Sequence, residues 1–161
     1  MSGMATPLSA LHGSVRVVVD AARELCDVLP GVVAVGLVGS WARCAGRPGS
    51  DVDLVVLTTS PAAMLESNEW FALFDRRAEL VRSSDFGAIA ERRLRLPDGL
   101  VVEVGVGDPS WAAVDPIDEG TRRVAGDGIV ALCDPVGLLA ALIRAVSGPS
   151  ELPAAGSPTG C

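Results

Sequence analysis

The fold of this chain is decided by residues 36–57, which read GLVGSWARCAGRPGSDVDLVVL. Two apolar runs flank a turn that is rich in glycine, serine and arginine. The first run belongs to segment 32–39, whose length and β-branched residues predict a strand covered on both faces. The second run predicts a strand over 51–58, and the glycine and proline content of 45–50 predicts a loop between them.

Two aspartates stand one residue apart where the second strand begins. Because side chains alternate along a strand, Asp51 and Asp53 share one face. Unpaired carboxylates at a half-buried site repel each other and lose hydration. Either these two acids are solvated at the strand end, where aspartate is common, or they share a positively charged partner.

A third acid favours the shared partner. Glu103 lies in the middle of LVVEVGV, a run that the Pro-Asp-Gly turn at 97–99 separates from another predicted strand. A mid-strand glutamate among valines needs a counter-charge, which is either Arg93 or Arg95 across this hairpin or a cation shared with the two aspartates. Mg²⁺ commonly binds a few carboxylates together with substrate phosphates, and two such ions stabilise a displacement at phosphorus.

The turn before the aspartates carries groups that suit phosphate. Gly39 allows a close backbone approach, and Ser40 offers a hydroxyl and an N–H donor at the start of a short predicted helix. Amides at a helix start attract phosphate oxygens, and Arg43 can neutralise phosphate charge. A glycine–serine pair alone is a weak pattern, but its combination with the three acids is specific.

These residues resemble the DNA polymerase β-like nucleotidyltransferase superfamily. GSWAR at 39–43 and SDVDL at 50–54 are similar to its Gly-Ser-x-Ala-Arg-Gly and Ser-Asp-x-Asp-Leu motifs, and Glu103 matches its third acid. The resemblance covers 14–107, and residues 108–146 are similar to the end of short stand-alone bacterial members. It implies an α/β (α+β) fold, with a small mixed β-sheet and helices packed mainly on one face.

The resemblance also implies a reaction and the residues that perform it. A nucleoside monophosphate passes from an NTP to a hydroxyl of a small molecule or protein, and pyrophosphate leaves. The implied catalytic residues and ligands of Mg²⁺, with two ions expected, are Asp51, Asp53 and Glu103. The implied triphosphate-binding residues are Gly39, Ser40 and Arg43. Glu103 is also a candidate general base for the acceptor hydroxyl, and Arg43 either contacts the substrate or braces the loop.

Two positions depart from the family pattern. Cys44 stands where the family has glycine, so a backbone with positive φ there would be strained by about 1 kcal/mol or more. Gly49 stands where aspartate or asparagine is common, which would leave one loop hydrogen bond unmade. Neither change removes a predicted metal ligand.

Composition argues against several other chemistries. All thirteen basic residues are arginines, so the chain has neither a phosphate-loop lysine nor a Schiff-base lysine. The single histidine, His12, argues against serine–histidine triads and histidine-rich zinc sites. The four cysteines are not spaced as metal ligands, and we expect them to be thiols. The net charge of −7 argues against broad nucleic-acid binding.

Periodicity and turn residues predict the other elements: a helix over 8–29, a helix over 61–74 capped by Ser60, a strand over 129–133 and a helix over 135–146. Segment 75–90 is ambiguous. The proline- and glycine-rich tail 147–161 is predicted to be disordered, which leaves 1–146 as one nucleotidyltransferase domain. We find no secretory signal and no apolar run long enough to cross a bilayer, so we expect a cytoplasmic protein without a membrane partner.

Three functions remain open. The first is an active nucleotidyltransferase. The second is an antitoxin-type minimal nucleotidyltransferase that modifies or binds a helical toxin partner. The third is a non-catalytic nucleotide-binding domain. A homodimer is a further partner hypothesis, because a second copy could supply a wall of the acceptor cleft.

Overall fold

The structure, a computed structural model, describes residues 13–148. Its strands are β1 (Val32–Val38), β2 (Val52–Thr58), β3 (Glu79–Asp85), β4 (Ile89–Arg95), β5 (Val101–Gly107) and β6 (Val130–Cys133). Its α-helices are α1 (Gly13–Arg23), α2 (Leu25–Val28), α3 (Gly39–Ala42), α4 (Pro61–Leu65), α5 (Glu119–Asp127) and α6 (Leu138–Ser147). A first 3₁₀ helix lies at Glu69–Leu73 and a second at Pro109–Ala112. None of the helices in this described range is long and apolar enough to span a membrane.

The six strands form one mixed sheet in the order β3-β4-β5-β2-β1-β6. β2 and β5 run parallel, and the other neighbouring pairs are antiparallel. β2 is therefore an interior strand, in which Asp53 lies opposite Val38 of β1 on one side and opposite Glu103 of β5 on the other. The expected mixed sheet with packed helices is confirmed.

One face of the sheet is buried under α1, α2 and the first 3₁₀ helix. Val18, Val19 and Ala22 of α1 belong to the same buried cluster as Leu54 of β2 and Val104 of β5. Because side chains alternate along each strand, Asp53 and Glu103, which directly precede Leu54 and Val104, point to the opposite face.

The opposite face is covered only in part. The second 3₁₀ helix, α5 and α6 pack over β1 and β2, and their cluster joins Val55 and Leu57 of the sheet to Trp111, Leu139 and Leu142. The part of this face that the helices leave open is where the acids of β2 and β5 emerge.

The ends of the chain differ from the prediction. The helix predicted over 8–29 is divided at Glu24 into α1 and α2, and its residues 8–12 lie outside the described range. The predicted tail, 147–161, also lies outside that range apart from its first two residues, of which Ser147 still belongs to α6.

The prediction of a helix over 61–74 is wrong beyond Leu65, where α4 ends. The Ser67 hydroxyl oxygen accepts a hydrogen bond from the Glu69 N–H at 3.1 Å, and such local bonds compete with a continuous helix. The chain therefore changes from α4 to the first 3₁₀ helix. Ser60 does not cap α4 with its side chain; its N–H donates to the Thr58 hydroxyl at 3.1 Å.

The last helix begins later than Pro135, where it was predicted to start. The Asp134 carboxylate accepts hydrogen bonds from the N–H groups of Leu139 at 3.0 Å and Ala140 at 2.9 Å. These are first-turn donors that lack partners within the helix. Asp134 thus caps α6 from a distance, and the proline belongs to the intervening turn.

A disulfide joins Cys26 to Cys133, so the expectation of free thiols is wrong for this pair. Their Cα atoms are 6.5 Å apart, within the usual range for a disulfide. The bond connects α2 to β6 across a sequence separation of 107 residues, and it therefore ties the first helical layer to the last strand of the sheet.

Candidate active site

Asp53 and Glu103 lie side by side because β2 and β5 are parallel and in register at these residues. Both side chains are half-buried. Asp51 precedes β2 on the same side of the sheet, and its side chain is 36% exposed. The structure thus brings the three predicted acids to one region of the open face.

An arginine lies between two of these acids. Arg93 is opposite Glu103 in the β4–β5 register, and its Nη1 forms an ion pair with the Glu103 carboxylate. Its Nη2 donates a hydrogen bond to Asp51 Oδ2 at 3.2 Å. Of the two candidate arginines the partner is therefore Arg93, whereas Arg95 is exposed and lies opposite Val101. Within residues 13–148, no three acidic, histidine or cysteine side chains lie close enough together to hold a metal ion.

The charged form of the Asp53 carboxylate is disfavoured at its position in the fold. Burial, followed by the negative charges of Asp51 and Glu91, raises the pKa of its carboxyl from 3.8 to about 6. Arg93 and Arg43 lower this pKa, but by less than the other effects raise it. Asp53 is thus a partly desolvated carboxylate with two other acids nearby, and a hard cation with oxygen ligands fits this donor set.

Gly39 begins α3 directly beside Asp53. Its φ is +75°, a left-handed backbone conformation that residues other than glycine rarely adopt. A β-carbon at this position would overlap the Asp53 carboxylate. Glycine is therefore required here both by the backbone and by the neighbouring acid.

Ser40 lies in the same short helix, and Arg43 directly follows it. Ser40 is half-buried, and its carbonyl accepts hydrogen bonds from the N–H groups of Arg43 at 3.1 Å and Ala45 at 2.8 Å. The Arg43 side chain is exposed, and its Cγ passes close to Gly128, just beyond α5. Arg43 therefore faces solvent between α3 and α5 and is not enclosed by the loop.

The loop after α3 is held by Trp41. Its indole N–H donates to the Ser50 carbonyl at 3.2 Å, and its ring lies against Gly46, where a β-carbon would overlap it. Through these contacts Trp41 packs the loop in place. Cys44 has a φ of 61° and Gly49 a φ of +93°, so the cysteine at the family's glycine position does adopt the strained conformation.

A cavity of about 580 Å³ opens in front of Asp53 and Glu103. Its volume lies within the range of roughly 300–1,000 Å³ that small-molecule sites occupy. Four of the six predicted site residues line it: Gly39, Arg43, Asp53 and Glu103. Asp51 and Ser40 do not line it. The opposite wall includes Arg123 of α5, and apolar surface comes from Phe86, Ile89 and Trp111.

Sequence reasoning missed Glu91. It lies opposite Gly105 in the β4–β5 register and lines the same cavity. Its carboxylate also contacts Arg82 of β3 at 3.8 Å. The alternation of side chains along ERRLRL puts Glu91 on the face of Arg93, and that pattern was sufficient to find it.

Sequence reasoning also missed α5, which lines the cavity on the side opposite the acids. The Asp118 carboxylate caps this helix by accepting from the N–H groups of Gly120 at 2.9 Å and Thr121 at 3.3 Å. The buried Thr121 hydroxyl donates to the Trp111 carbonyl at 3.0 Å, which fixes α5 to the second 3₁₀ helix. An aspartate cap before a polar segment is a recognisable helix start, although the helix itself has few apolar residues.

Comparison with protein families identifies the domain. Residues 19–101, just over half of the 161-residue chain, match the nucleotidyltransferase domain family. The matched range contains the glycine–serine turn and both aspartates and ends two residues before Glu103. No curated protein matches the chain. The chain belongs to the nucleotidyltransferase domain family, in agreement with its resemblance to the polymerase β-like superfamily.

Proposed function

We propose that this chain is a Mg²⁺-dependent nucleotidyltransferase that moves a nucleoside monophosphate from an NTP to a hydroxyl of a small molecule or protein. The observation that carries the proposal is the direct opposition of Asp53 and Glu103 across β2 and β5, at a cavity large enough for a nucleotide. Membership of the family supports nucleotidyl transfer as the general activity.

Three acids are proposed to hold the metal: Asp51, Asp53 and Glu103. Their hard oxygen atoms match the ligand preference of Mg²⁺. The pKa of Asp53 is raised first by burial and then by the negative charges of Asp51 and Glu91, and a bound cation would favour its charged form. When bound, Mg²⁺ would supply charge stabilisation to the attacking and leaving oxygens. All other parts of the proposed reaction fall to the side chains and backbone of the cavity.

The triphosphate is proposed to bind beside Gly39 and Ser40. Gly39 lines the cavity directly beside Asp53, so a triphosphate bound there would lie next to the proposed metal ligands. Arg43, directly after α3, and Arg123 of α5 line the cavity, and guanidinium groups on two sides can offset the charge of phosphate oxygens.

The proposed reaction is a single displacement at the α-phosphorus. The acceptor oxygen forms a bond to that phosphorus, while the bond between the phosphorus and the oxygen that bridges to the β-phosphate breaks. The electron pair of this second bond leaves with pyrophosphate. Glu103 takes the proton of the acceptor hydroxyl as general base.

A nucleotide-binding domain without transfer activity is the second candidate. The contacts of Arg93 with Asp51 and Glu103 favour it, because they occupy two carboxylates that catalysis would need. The two candidates differ in one observable, which is covalent transfer of the α-phosphate.

Label transfer tests the proposal. Purified protein would be incubated with Mg²⁺, each of the four NTPs labelled at the α-phosphate, and lysate of the source cell. We expect a labelled small molecule or protein with the wild type and with Asp27→Asn, a control on the exposed surface of α2. Asp53→Asn should reduce transfer by at least about a hundredfold, because metal stabilisation of a transition state is worth several kcal/mol. Equal transfer by Asp53→Asn, or none by the wild type with any NTP, would overturn the proposal.

A further inference from the structure

Arg93 is the arginine that bridges the proposed metal ligands. It reaches Glu103 of β5 through Nη1 and Asp51, just before β2, through Nη2 at 3.2 Å, so the two arms of one guanidinium hold acids from two segments of the chain. Its side chain is 27% exposed, and those of Glu103 and Asp51 are 20% and 36% exposed. A partly buried, two-armed pair of this kind is geometrically specific, unlike a solvated surface ion pair.

The two acids cannot serve Arg93 and a metal ion equally well. Arg93 contacts one oxygen of each of these two carboxylates, Oδ2 of Asp51 and Oε2 of Glu103, so a metal held by the same acids would share them with a guanidinium. A nearby guanidinium typically lowers the pKa of a carboxylate by roughly one to three units, and the same positive charge opposes the binding of any other cation.

We propose that Arg93 is a positioning residue that takes the place of the metal in the metal-free protein and must release Asp51 and Glu103 when the metal binds. This inference rests on the proposed metal site. It has two consequences. The divalent-ion affinity of the wild type is lower than its three acids alone would give, and the metal-free fold depends on Arg93 to separate acids that otherwise repel one another.

Arg95 provides a matched control. It lies on the same strand and on the same face, two residues further along, but it is exposed and opposite Val101. Replacing Arg95 by glutamine removes the same charge from the protein as a whole without touching the acids. Arg93→Lys is a second variant, because lysine keeps the charge but lacks the planar fork that spans two carboxylates.

The affinity test titrates Mn²⁺ alone into each purified protein and follows free Mn²⁺ by electron paramagnetic resonance. We expect Arg93→Gln to bind Mn²⁺ about tenfold more tightly than the wild type, as the removal of one nearby positive charge predicts. Arg93→Lys should fall between these two, and Arg95→Gln should equal the wild type. Unchanged or weaker binding by Arg93→Gln would overturn the inference, as would an equal gain in Arg95→Gln.

Thermal unfolding supplies a readout that does not depend on activity. Arg93→Gln should melt at a lower temperature than the wild type in EDTA, and the difference should shrink in saturating Mn²⁺. If Arg93→Gln does not fold in EDTA, the same comparison is made with Arg93→Lys. A deficit of the same size with and without Mn²⁺ would show a purely structural role and overturn the inference.

The two levels of proposal fail in different ways. If the wild type binds no Mn²⁺, or if Asp53→Asn binds it equally well, the proposed metal site is wrong and the inference about Arg93 falls with it. If binding depends on Asp53 but Arg93→Gln leaves the affinity unchanged, only the role of Arg93 is wrong.

Discussion

The backbone of Gly39 lies so close to the Asp53 carboxylate that a β-carbon on residue 39 would overlap it. The contact joins the end of β1 to the start of β2, where Val38 and Asp53 are opposite each other in the register. The phosphate-binding turn and the metal-binding strand end proposed here are therefore one packed unit, and a change on either side must disturb the other.

Gly39→Ala is expected to destabilise the protein more than Gly49→Ala. Both glycines have positive φ, +75° and +93°, so each alanine incurs a backbone penalty of about 1–2 kcal/mol. A β-carbon at Gly49 would meet open space, whereas at Gly39 it would displace Asp53. Urea denaturation of the two variants isolates the contact with Asp53. Equal losses in the free energy of unfolding would show that Gly39 and Asp53 are not packed together.

Asp53→Asn is expected to stabilise the metal-free protein at pH 8. The pKa of Asp53 is about 6 in the fold against an ordinary value of 3.8, so the folded protein binds more protons than the unfolded chain between these values. Wild-type stability therefore falls as pH rises from 4 to 6, and the loss persists above 6. At a half-exposed site, solvent screening reduces this effect to about 1 kcal/mol.

Chemical denaturation in EDTA at pH 4 and pH 8 measures this effect. The advantage of the asparagine variant should be present at pH 8 and nearly absent at pH 4, where the wild-type carboxyl is protonated. An advantage that is equal at both pH values, or no advantage at pH 8, would contradict the raised pKa of Asp53.

Reduction of the Cys26–Cys133 bond is expected to lower the free energy of unfolding by about 2–4 kcal/mol, the usual contribution of a disulfide that closes a long loop. Urea midpoints would be compared with and without reductant. The double variant Cys26→Ser, Cys133→Ser is the control, and reductant should not shift its midpoint by as much. Alkylation of both cysteines in the native, unreduced protein would contradict the bond.

Much of the site could be predicted because it depends on local rules. Alternation along β2 puts Asp51 and Asp53 on one face, and positive φ is tolerated at Gly39. Glu103 could be predicted because one turn signal, at 97–99, defines its hairpin. These inferences needed no knowledge of distant contacts.

To predict which arginine pairs with Glu103, one must know the register of the β4–β5 hairpin. The Leu96 N–H donates to the Leu100 carbonyl at 2.8 Å, and this closure puts Arg93, not Arg95, opposite Glu103. A two-residue shift of this register would keep the same faces and put Arg95 opposite Glu103. The sequence alone therefore left the choice between the two arginines open.

Two elements could not be predicted with the same rules: α5, which lines the cavity opposite the acids, and β3, which is an edge strand of the sheet. β3 is an edge strand in which Ser84 alone is half-buried and the other residues are exposed, so it shows no alternation of apolar and polar residues. α5 buries only Thr121 and Ala125, which is too few apolar residues for a helical period. β3 is defined by its pairing with β4, and α5 by its contact with the second 3₁₀ helix.

Calorimetric titration with an NTP analogue whose α–β bridge cannot be cleaved tests most directly whether Asp53 belongs to a metal–nucleotide site. Wild type, Asp53→Asn and the surface control Asp27→Asn would be titrated in Mg²⁺ and in EDTA. We predict binding by the wild type and the control only in Mg²⁺, with affinity reduced at least about tenfold in Asp53→Asn because one ligand oxygen and its charge are lost. No binding by the wild type, or binding that neither EDTA nor Asp53→Asn weakens, would contradict the metal–nucleotide site.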